Sequence, residues 1–392
     1  VLATKRKEYI MKPKKTVVKK LFATVVFAII FAVLFQIATK SFIVIDNVDV
    51  ANIDGFYQTK ENSVDVMLMG ASEIYMGYAP GLAWHEYGIK SMNLSIGGIP
   101  CNMYKSILKE IQKRQKPKLL IVNATSFYYG NWNLDNEIYL RKWIDNIPFS
   151  ENREETIKED VPEDLQNNMT FSLVKYHENW KDPVGVATSF FLRSHILLTG
   201  GGYLKGYYTK SSVTGGRENL AKLGYPTQEK LYMTDDCRKY LKEFLQYCKD
   251  SGVENMLMVA PPHQALAVSK NGLDEVKTTV EEYGYDFLDL HNDYAQAGID
   301  DKTDFADYEH LNIYGAQHFT SYLGQYMLDN YDVKSDTTDE EINEWDMCYD
   351  ETKAVMEKSE KFIKEGIIDG VGEMDTSLPA KIYHRIDDFI KS

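Results

Sequence analysis

Val64-Asp65-Val66-Met67-Leu68-Met69 leads directly into Gly70-Ala71-Ser72. The first six residues are mostly apolar and predict a short buried strand, and the small residues after them leave room for a sharp turn. A serine in such a turn is often only a turn residue or a helix cap. At the end of a buried strand, however, the turn also presents the hydroxyl, so Ser72 is a candidate nucleophile.

An aspartate and a histidine lie three residues apart far downstream, in Asp307-Tyr308-Glu309-His310-Leu311-Asn312, just before an amphipathic segment. An imidazole can accept the proton of a serine hydroxyl, and a carboxylate can hold that imidazole in the required tautomer. Ser72, His310 and Asp307 therefore supply the parts of an activated nucleophile.

The order of the other predicted elements is that of an α/β domain. They are a helix over Met103–Lys113, strands over Leu119–Val122, Asn255–Val259 and Asp286–Leu290, helices over Asp235–Lys249 and Leu273–Tyr283, and a last helix over Asn312–Leu328. The fully apolar run Leu119–Val122 is typical of a strand buried in a parallel sheet. Residues 127–233 are irregular and too long for an ordinary loop, which predicts a lid-like insertion over the serine.

A third motif, Asn93-Leu94-Ser95-Ile96-Gly97-Gly98, follows the second predicted strand. With the serine turn before it and the aspartate-histidine pair after it, the chain resembles the SGNH (GDSL) hydrolase superfamily. It is most similar to membrane-anchored members from Gram-positive bacteria, including cell-envelope acyl-transfer proteins of the type that acts on teichoic acids. The resemblance covers roughly residues 60–332 without the insertion, and it implies a three-layer α/β/α sandwich with a parallel sheet.

The resemblance also implies roles for individual residues. Ser72 would be the nucleophile, His310 the general base and acid, and Asp307 the orienting carboxylate, while the N–H of Gly98 would help to form the oxyanion hole. The chain departs from the family after the third strand, where Gly-x-Asn is usual and Asn123-Ala124-Thr125-Ser126 stands instead. Asn123 or Ser126 would then be the third donor, and losing such a donor costs about 10²–10³ in rate.

The function that the resemblance implies is cleavage or transfer of an ester-linked acyl group on a cell-envelope glycan or related polymer. No cofactor is expected, and a membrane acyltransferase is a candidate partner. An α/β-hydrolase would use the same chain order but normally has Gly-x-Ser-x-Gly, whereas Glu73 and Ile74 follow Ser72. The alternative function is that of a catalytically inactive SGNH-like protein that binds or assembles envelope polymers.

Metal and nucleotide chemistry are not indicated by any motif, since the sequence has no Cys-x-x-Cys, His-Glu-x-x-His or phosphate loop. The first twenty residues carry eight basic side chains and one acidic one, which is a net charge of +7. Because the whole chain has a net charge of −14, the remainder carries about −21. This acidic balance argues against a nucleic-acid partner. The four cysteines are too widely spaced for a disulfide framework and are expected to be buried thiols.

Leu21–Thr39 is uncharged, mostly apolar and about long enough to cross a bilayer. The basic residues before it predict a cytoplasmic amino terminus and an extracellular catalytic domain, held at the cell membrane by a single pass. A cleaved signal peptide is the alternative, although the run is long for a signal core and no Ala-x-Ala-like site follows. The predicted organisation is a cytoplasmic segment (1–20), a transmembrane helix (21–40), a stalk (41–60), the SGNH-like domain (61–332) and an acidic helical tail (333–392), which either packs on the domain or contacts a partner.

Overall fold

The computed structural model describes residues 15–44, 47–128, 133–199, 204–216, 218, 222, 233–264, 270–291, 293–367 and 370–371. The strands are β1 (Val66–Gly70), β2 (Ser91–Ser95), β3 (Leu119–Asn123), β4 (Thr209–Lys210), β5 (Met256–Ala260), β6 (Asp286–Asp289) and β7 (Gly370–Val371). Within this described part of the chain, five strands form a parallel sheet in the order β2-β1-β3-β5-β6. The prediction of an α/β protein with a parallel sheet is therefore confirmed.

Helices accompany the strands along the whole chain. They are α1 (Lys15–Phe42), α2 (Asn47–Gln58), α3 (Ser72–Gly77), α4 (Pro80–Tyr87), α5 (Tyr104–Arg114), α6 (Thr125–Tyr128), α7 (Glu137–Ile144), α8 (Glu151–Asp160), α9 (Glu163–Thr170), α10 (Ser172–Tyr176), α11 (Pro183–Thr199), α12 (Asp235–Asp250), α13 (Lys270–Glu282), α14 (Ile313–Asn330) and α15 (Asp339–Glu365).

The sheet is buried on both faces, as its continuous apolar runs require. Successive side chains of a strand point to opposite faces, so Met67 and Met69 of β1 pack in one hydrophobic cluster and Val66 and Leu68 in the other. The first cluster contains side chains of α2, α5, α12 and α13, and the second contains side chains of α3, α4 and α14. Helices therefore cover the sheet from both sides.

Gly70 allows the carboxyl ends of β1 and β3 to approach closely. Its φ is +150°, and a Cβ atom added there would lie 2.2 Å from the Cβ of Asn123. A side chain at this position would push the two strands apart. The glycine thus lets the turn close, and α3 begins two residues later at Ser72.

Among the described residues, one helix, over Val17–Phe42, is long and apolar enough to cross a membrane. Side chains 17–38 are exposed, whereas Thr39, Ser41 and Ile43 are buried against the rest of the protein. The predicted stalk at 41–60 is wrong for most of its length. Residues 47–58 form α2, which places Ile53 and Phe56 in the core.

The predicted insertion consists largely of short helices in its described part. Two of these helices bond to Ser106 of α5. Trp143 of α7 donates to its hydroxyl at 2.9 Å, and Asn152 of α8 donates to its carbonyl at 3.0 Å. These helices therefore pack on the flank of the sheet domain instead of forming a single flap. Within the described residues, α7 and the segment 204–216 reach the region around Ser72.

In its described part, the acidic tail packs on the domain. Thr338 caps α15 through a capping box with Glu341, and the helix then lies along α4. Trp345 and Val355 are buried in this contact. The cysteines, which are Cys101, Cys237, Cys248 and Cys348, are buried thiols as expected.

Candidate active site

A cavity of about 210 Å³ lies at the carboxyl edge of the sheet, where β1, β2 and β3 end. Its walls come from the serine turn, the glycine motif after β2, the start of α6, and α7 of the insertion. The lining residues are Ala71, Ser72, Glu73, Gly97, Gly98, Ile99, Thr125, Ser126, Tyr139, Lys142 and Glu309. Segments that are distant in sequence thus meet around one half-buried hydroxyl.

Ser72, His310 and Asp307 form a continuous hydrogen-bonded chain. The Nε2 atom of His310 lies 2.8 Å from Ser72 Oγ, and its Nδ1 atom lies 2.7 Å from Asp307 Oδ1. The imidazole can therefore accept the serine proton at Nε2 while Nδ1–H donates to the carboxylate. This is the geometry required for a serine activated by general base catalysis.

The loop that carries His310 is held by its own backbone. The N–H of Ala306 donates to the carbonyl of His310 at 2.8 Å, and an antiparallel bridge joins Phe305 to Leu311. Asp307 Oδ1 also accepts the N–H groups of Glu309 and His310, each at 3.0 Å. The carboxylate thus fixes the turn as well as the imidazole.

Asn312 ends the loop and starts the last helix of the sheet domain. Its Oδ1 atom accepts the N–H groups of Tyr314 and Gly315, which caps α14. Its Nδ2 atom donates to the carbonyls of Thr303 and Ser212 at 2.7 and 3.1 Å. The asparagine therefore connects the loop, the helix and the segment 204–216.

The charges around the imidazole set its proton affinity. Burial alone would lower the pKa of His310, but the hydrogen bond and charge of Asp307 outweigh burial and raise it above its ordinary value. Burial has the opposite effect on a carboxylate and would raise the pKa of Asp307. His310 and the Lys210 ammonium, which lies 3.1 Å from Oδ2, nevertheless hold that pKa well below its usual range. Asp307 is therefore ionised throughout the neutral range and stabilises a protonated imidazole.

Two backbone N–H groups are suited to an oxyanion hole. Ser72 is the first residue of α3, where N–H groups have no acceptor within the helix. Gly98 has a φ of +67°, and no acceptor for its N–H occurs among the residues that the structure describes. The neighbouring Gly97 N–H is already donated to Asp49 Oδ1 at 2.7 Å. Gly98 thus lies where the sequence placed it, in the wall of the cavity.

The structure gives different partners to the two side chains that the sequence suggested as third donor. Asn123 is fully buried outside the cavity lining, with Nδ2 3.3 Å from Glu73 Oε2 and Oδ1 accepting the N–H of Thr125 at 2.7 Å. Ser126 does line the cavity, but its hydroxyl donates to the carbonyl of Ile99 at 2.9 Å and accepts from Tyr104. Neither polar group is free to point at a bound substrate.

Several residues at the site were not singled out from the sequence. Glu73 directly follows Ser72, Glu309 directly precedes His310, and both glutamates line the cavity. Burial, helped by the nearby Glu73, raises the pKa of Glu309 to about 7. Burial also raises the pKa of Glu73. Lys210 lies in an irregular stretch without a motif, so nothing in the sequence linked it to Asp307.

No protein-family model matches the chain, and no curated protein sequence matches it. The evidence for function therefore comes from the motifs and from the geometry of this cavity.

Proposed function

We propose that the protein is a membrane-anchored serine esterase or O-acyltransferase of the SGNH type. The observation that carries the proposal is the chain of two short hydrogen bonds from Ser72 through His310 to Asp307. The position of the serine after β1 of a parallel sheet that helices cover on both faces supports the three-layer α/β/α arrangement implied by the resemblance.

In the proposed reaction, Ser72 Oγ attacks the carbonyl carbon of an acyl ester while His310 Nε2 takes the hydroxyl proton. Asp307 stabilises the resulting imidazolium, and the N–H groups of Ser72 and Gly98 stabilise the oxyanion. The imidazolium then returns its proton to the departing alkoxide, which leaves an acyl group on Ser72. Water or a sugar hydroxyl, deprotonated by the same imidazole, attacks that acyl group and releases the serine.

The proposed substrate is an acylated glycan or related polymer of the cell envelope, reached from the outer side of the membrane. α1 supports anchoring, because it is the described helix long and apolar enough to cross a bilayer. The basic residues before it support a cytoplasmic amino terminus. The catalytic domain is then extracellular, where envelope polymers are found.

Hydrolysis of a small acetyl ester by the full chain in detergent micelles tests the proposal. We expect Ser72→Ala to reduce kcat by about 10³-fold or more, because the nucleophile is removed. The matched control is Ser321→Ala, since that serine of α14 donates to Glu86 Oε2 at 2.6 Å and does not line the cavity. Equal rates for wild type and Ser72→Ala would contradict the proposal.

An envelope polymer-binding or assembly protein without catalysis is the second candidate. It is favoured by one observation, namely that Asn123 and Ser126 have other partners and leave the oxyanion hole with backbone donors. A folded wild-type protein that binds an acylated glycan but turns over no ester would support this candidate.

A further inference from the structure

Several large apolar side chains are exposed within residues 171–198. Trp180 is 65 % exposed, Leu197 63 % and Leu198 84 %. Phe171, Val174 and Phe190 are exposed on the same stretch. Isolated exposed apolar residues are common, but so many within one short stretch mark an interaction site. We call residues 171–198 the apolar collar.

The apolar collar is attached to the end of the candidate membrane helix. Each of its segments, namely α10, residues 177–181 and α11, contacts α1. Asn179 Nδ2 donates to the carbonyl of Phe42 at 2.8 Å, and Ser189 Oγ lies 3.3 and 3.2 Å from the carbonyls of Lys40 and Ile43. Lys40 Nζ in turn donates to the carbonyl of Asn146 at 2.6 Å. The collar is therefore held where α1 leaves the membrane.

A recess of about 500 Å³ continues from the membrane helix into the apolar collar. It lies between α1, α2 and α11, and its apolar walls include Ile37, Phe190 and Leu197. Its polar end holds Lys40 and Arg193, whose guanidinium is paired with Asp54 at 2.5 Å. Because Ile37 belongs to the candidate span, the membrane helix itself forms part of the wall of this recess.

The polar residues of the apolar collar are those typical of a membrane interface. Trp180 is flanked by Lys181, and Lys175 lies on the preceding helix, with both ammonium-bearing side chains about half exposed. Tryptophan and lysine are enriched at the level of lipid headgroups. The collar carries three basic and two acidic side chains, in contrast to the strong negative charge of the chain after residue 20.

We propose that the apolar collar docks on the bilayer that α1 crosses, with Trp180 and Leu197 among the lipid headgroups and upper chains. The proposal rests on the membrane anchoring of the proposed function. The continuity of the collar with α1 and the recess between them favour lipid over a protein partner. Docking would hold the domain against the membrane surface.

The catalytic cavity lies a short distance along the chain from the end of α1, which limits its distance from the membrane. Gly97, in the cavity wall, bonds to Asp49, which is seven residues after Phe42 at the end of α1. Even a fully extended chain of that length spans only about 25 Å. Ser72 would therefore act on acyl groups that are close to the outer membrane surface, such as those on lipid-linked or membrane-proximal polymer.

Lipid-bound and aqueous quenchers test the docking on the full chain in vesicles of phosphatidylcholine and phosphatidylglycerol. Trp180→Cys and Leu197→Cys are labelled with a bimane fluorophore, and the native cysteines stay unlabelled because they are buried. The control is Glu254→Cys, an exposed position just before β5 and thus at the amino edge of the sheet, opposite the cavity. We expect nitroxide lipids to quench the fluorescence at positions 180 and 197 at least about threefold more strongly than at position 254. Iodide should quench position 254 more strongly than positions 180 and 197.

A label at Phe27→Cys, within α1, separates the docking from the anchoring on which it rests. Lipid quenching at 27 together with iodide quenching at 180 and 197 would overturn the docking while leaving the membrane anchor in place. Iodide quenching at all three positions would overturn both. Protection of 180 and 197 from both quenchers would show that a protein covers the apolar collar, which also overturns lipid docking. Leu198→Cys, at the most exposed of these positions, replaces any variant that fails to fold.

Discussion

The proton affinity of His310 depends on burial, which lowers its pKa, and on nearby charges, including the carboxylate of Glu73, which raises it. Asp307 raises the pKa of the imidazole, whereas the positive charge of Lys210 lowers it. An imidazole with a raised pKa keeps its proton to higher pH, and in that form it cannot accept the proton of Ser72. We therefore expect kcat/KM to rise with pH around a midpoint above the ordinary histidine value of about 6.5.

Lys210→Met should move this midpoint to still higher pH. The substitution removes the charge that disfavours imidazolium, so the base form of His310 appears only at more alkaline pH. The pH profile of kcat/KM for a small ester measures the shift. Lys239→Met, at an exposed position on α12, should leave the profile unchanged. A shift to lower pH in Lys210→Met would contradict the assigned electrostatics.

Asn123→Ala and Ser126→Ala should each lower kcat by less than about tenfold, because their polar groups already have protein partners; a true oxyanion donor is worth about 10²–10³. Asn123→Ala should instead lower the free energy of unfolding by about 1–3 kcal/mol, since Glu73 and the N–H of Thr125 lose a buried partner. Steady-state kinetics and denaturant titration measure the two effects. A 10²-fold fall in kcat for Ser126→Ala, with KM unchanged, would make Ser126 an oxyanion donor after all.

Residues whose role depends on local motifs could be predicted, and residues whose role depends on tertiary contacts could not. Ser72, Asp307 and His310 stand in short patterns that also specify their turns. Asn123, at the end of β3, donates to the buried carboxylate of Glu73, which follows β1. A single sequence does not reveal this contact between two strand ends. Lys210, in the two-residue strand β4, reaches Asp307 from almost one hundred residues away.

At the level of elements, the contact between α4 and α15 attaches the tail to the domain. Trp345 is 2 % exposed, and its ring centroid lies 6.1 Å from that of Trp84. Trp345→Ala should lower the free energy of unfolding by about 3–5 kcal/mol, because it removes a large buried side chain. Denaturant unfolding of the full chain measures the change. Trp180→Ala, at an exposed position, should have little effect, and equal losses for both variants would contradict the packing of the tail.

One element that the sequence analysis missed is α2, in the region expected to be a stalk. Val50, Ile53 and Phe56 recur every third residue, which is a helical spacing, and all three are buried. The pattern was present, but it covers only 12 residues. Its apolar side is buried only because it packs on the sheet, and that contact cannot be read from the segment itself. The apolar runs of the strands, in contrast, predict burial without knowledge of their neighbours.

For the whole molecule, we propose that α1 is retained as a membrane anchor, because it is the described helix long and apolar enough to cross a bilayer. We expect the full chain to need detergent for extraction from membranes, and a reporter fused after Ser392 to be active only outside the cytoplasm. A soluble product that begins near Lys40 or Ser41 would show that the apolar run is a signal peptide.

Covalent labelling of the full chain by a serine-reactive fluorophosphonate, located by peptide mass spectrometry, tests the central claim most directly. An activated serine attacks the phosphorus and displaces fluoride, so we expect one adduct, at Ser72, in the wild-type protein. The adduct should be absent in Ser72→Ala, and it should form far more slowly in His310→Gln because the base is lost. A folded wild-type protein that stays unlabelled at Ser72, or that is labelled there equally fast without His310, would contradict the account.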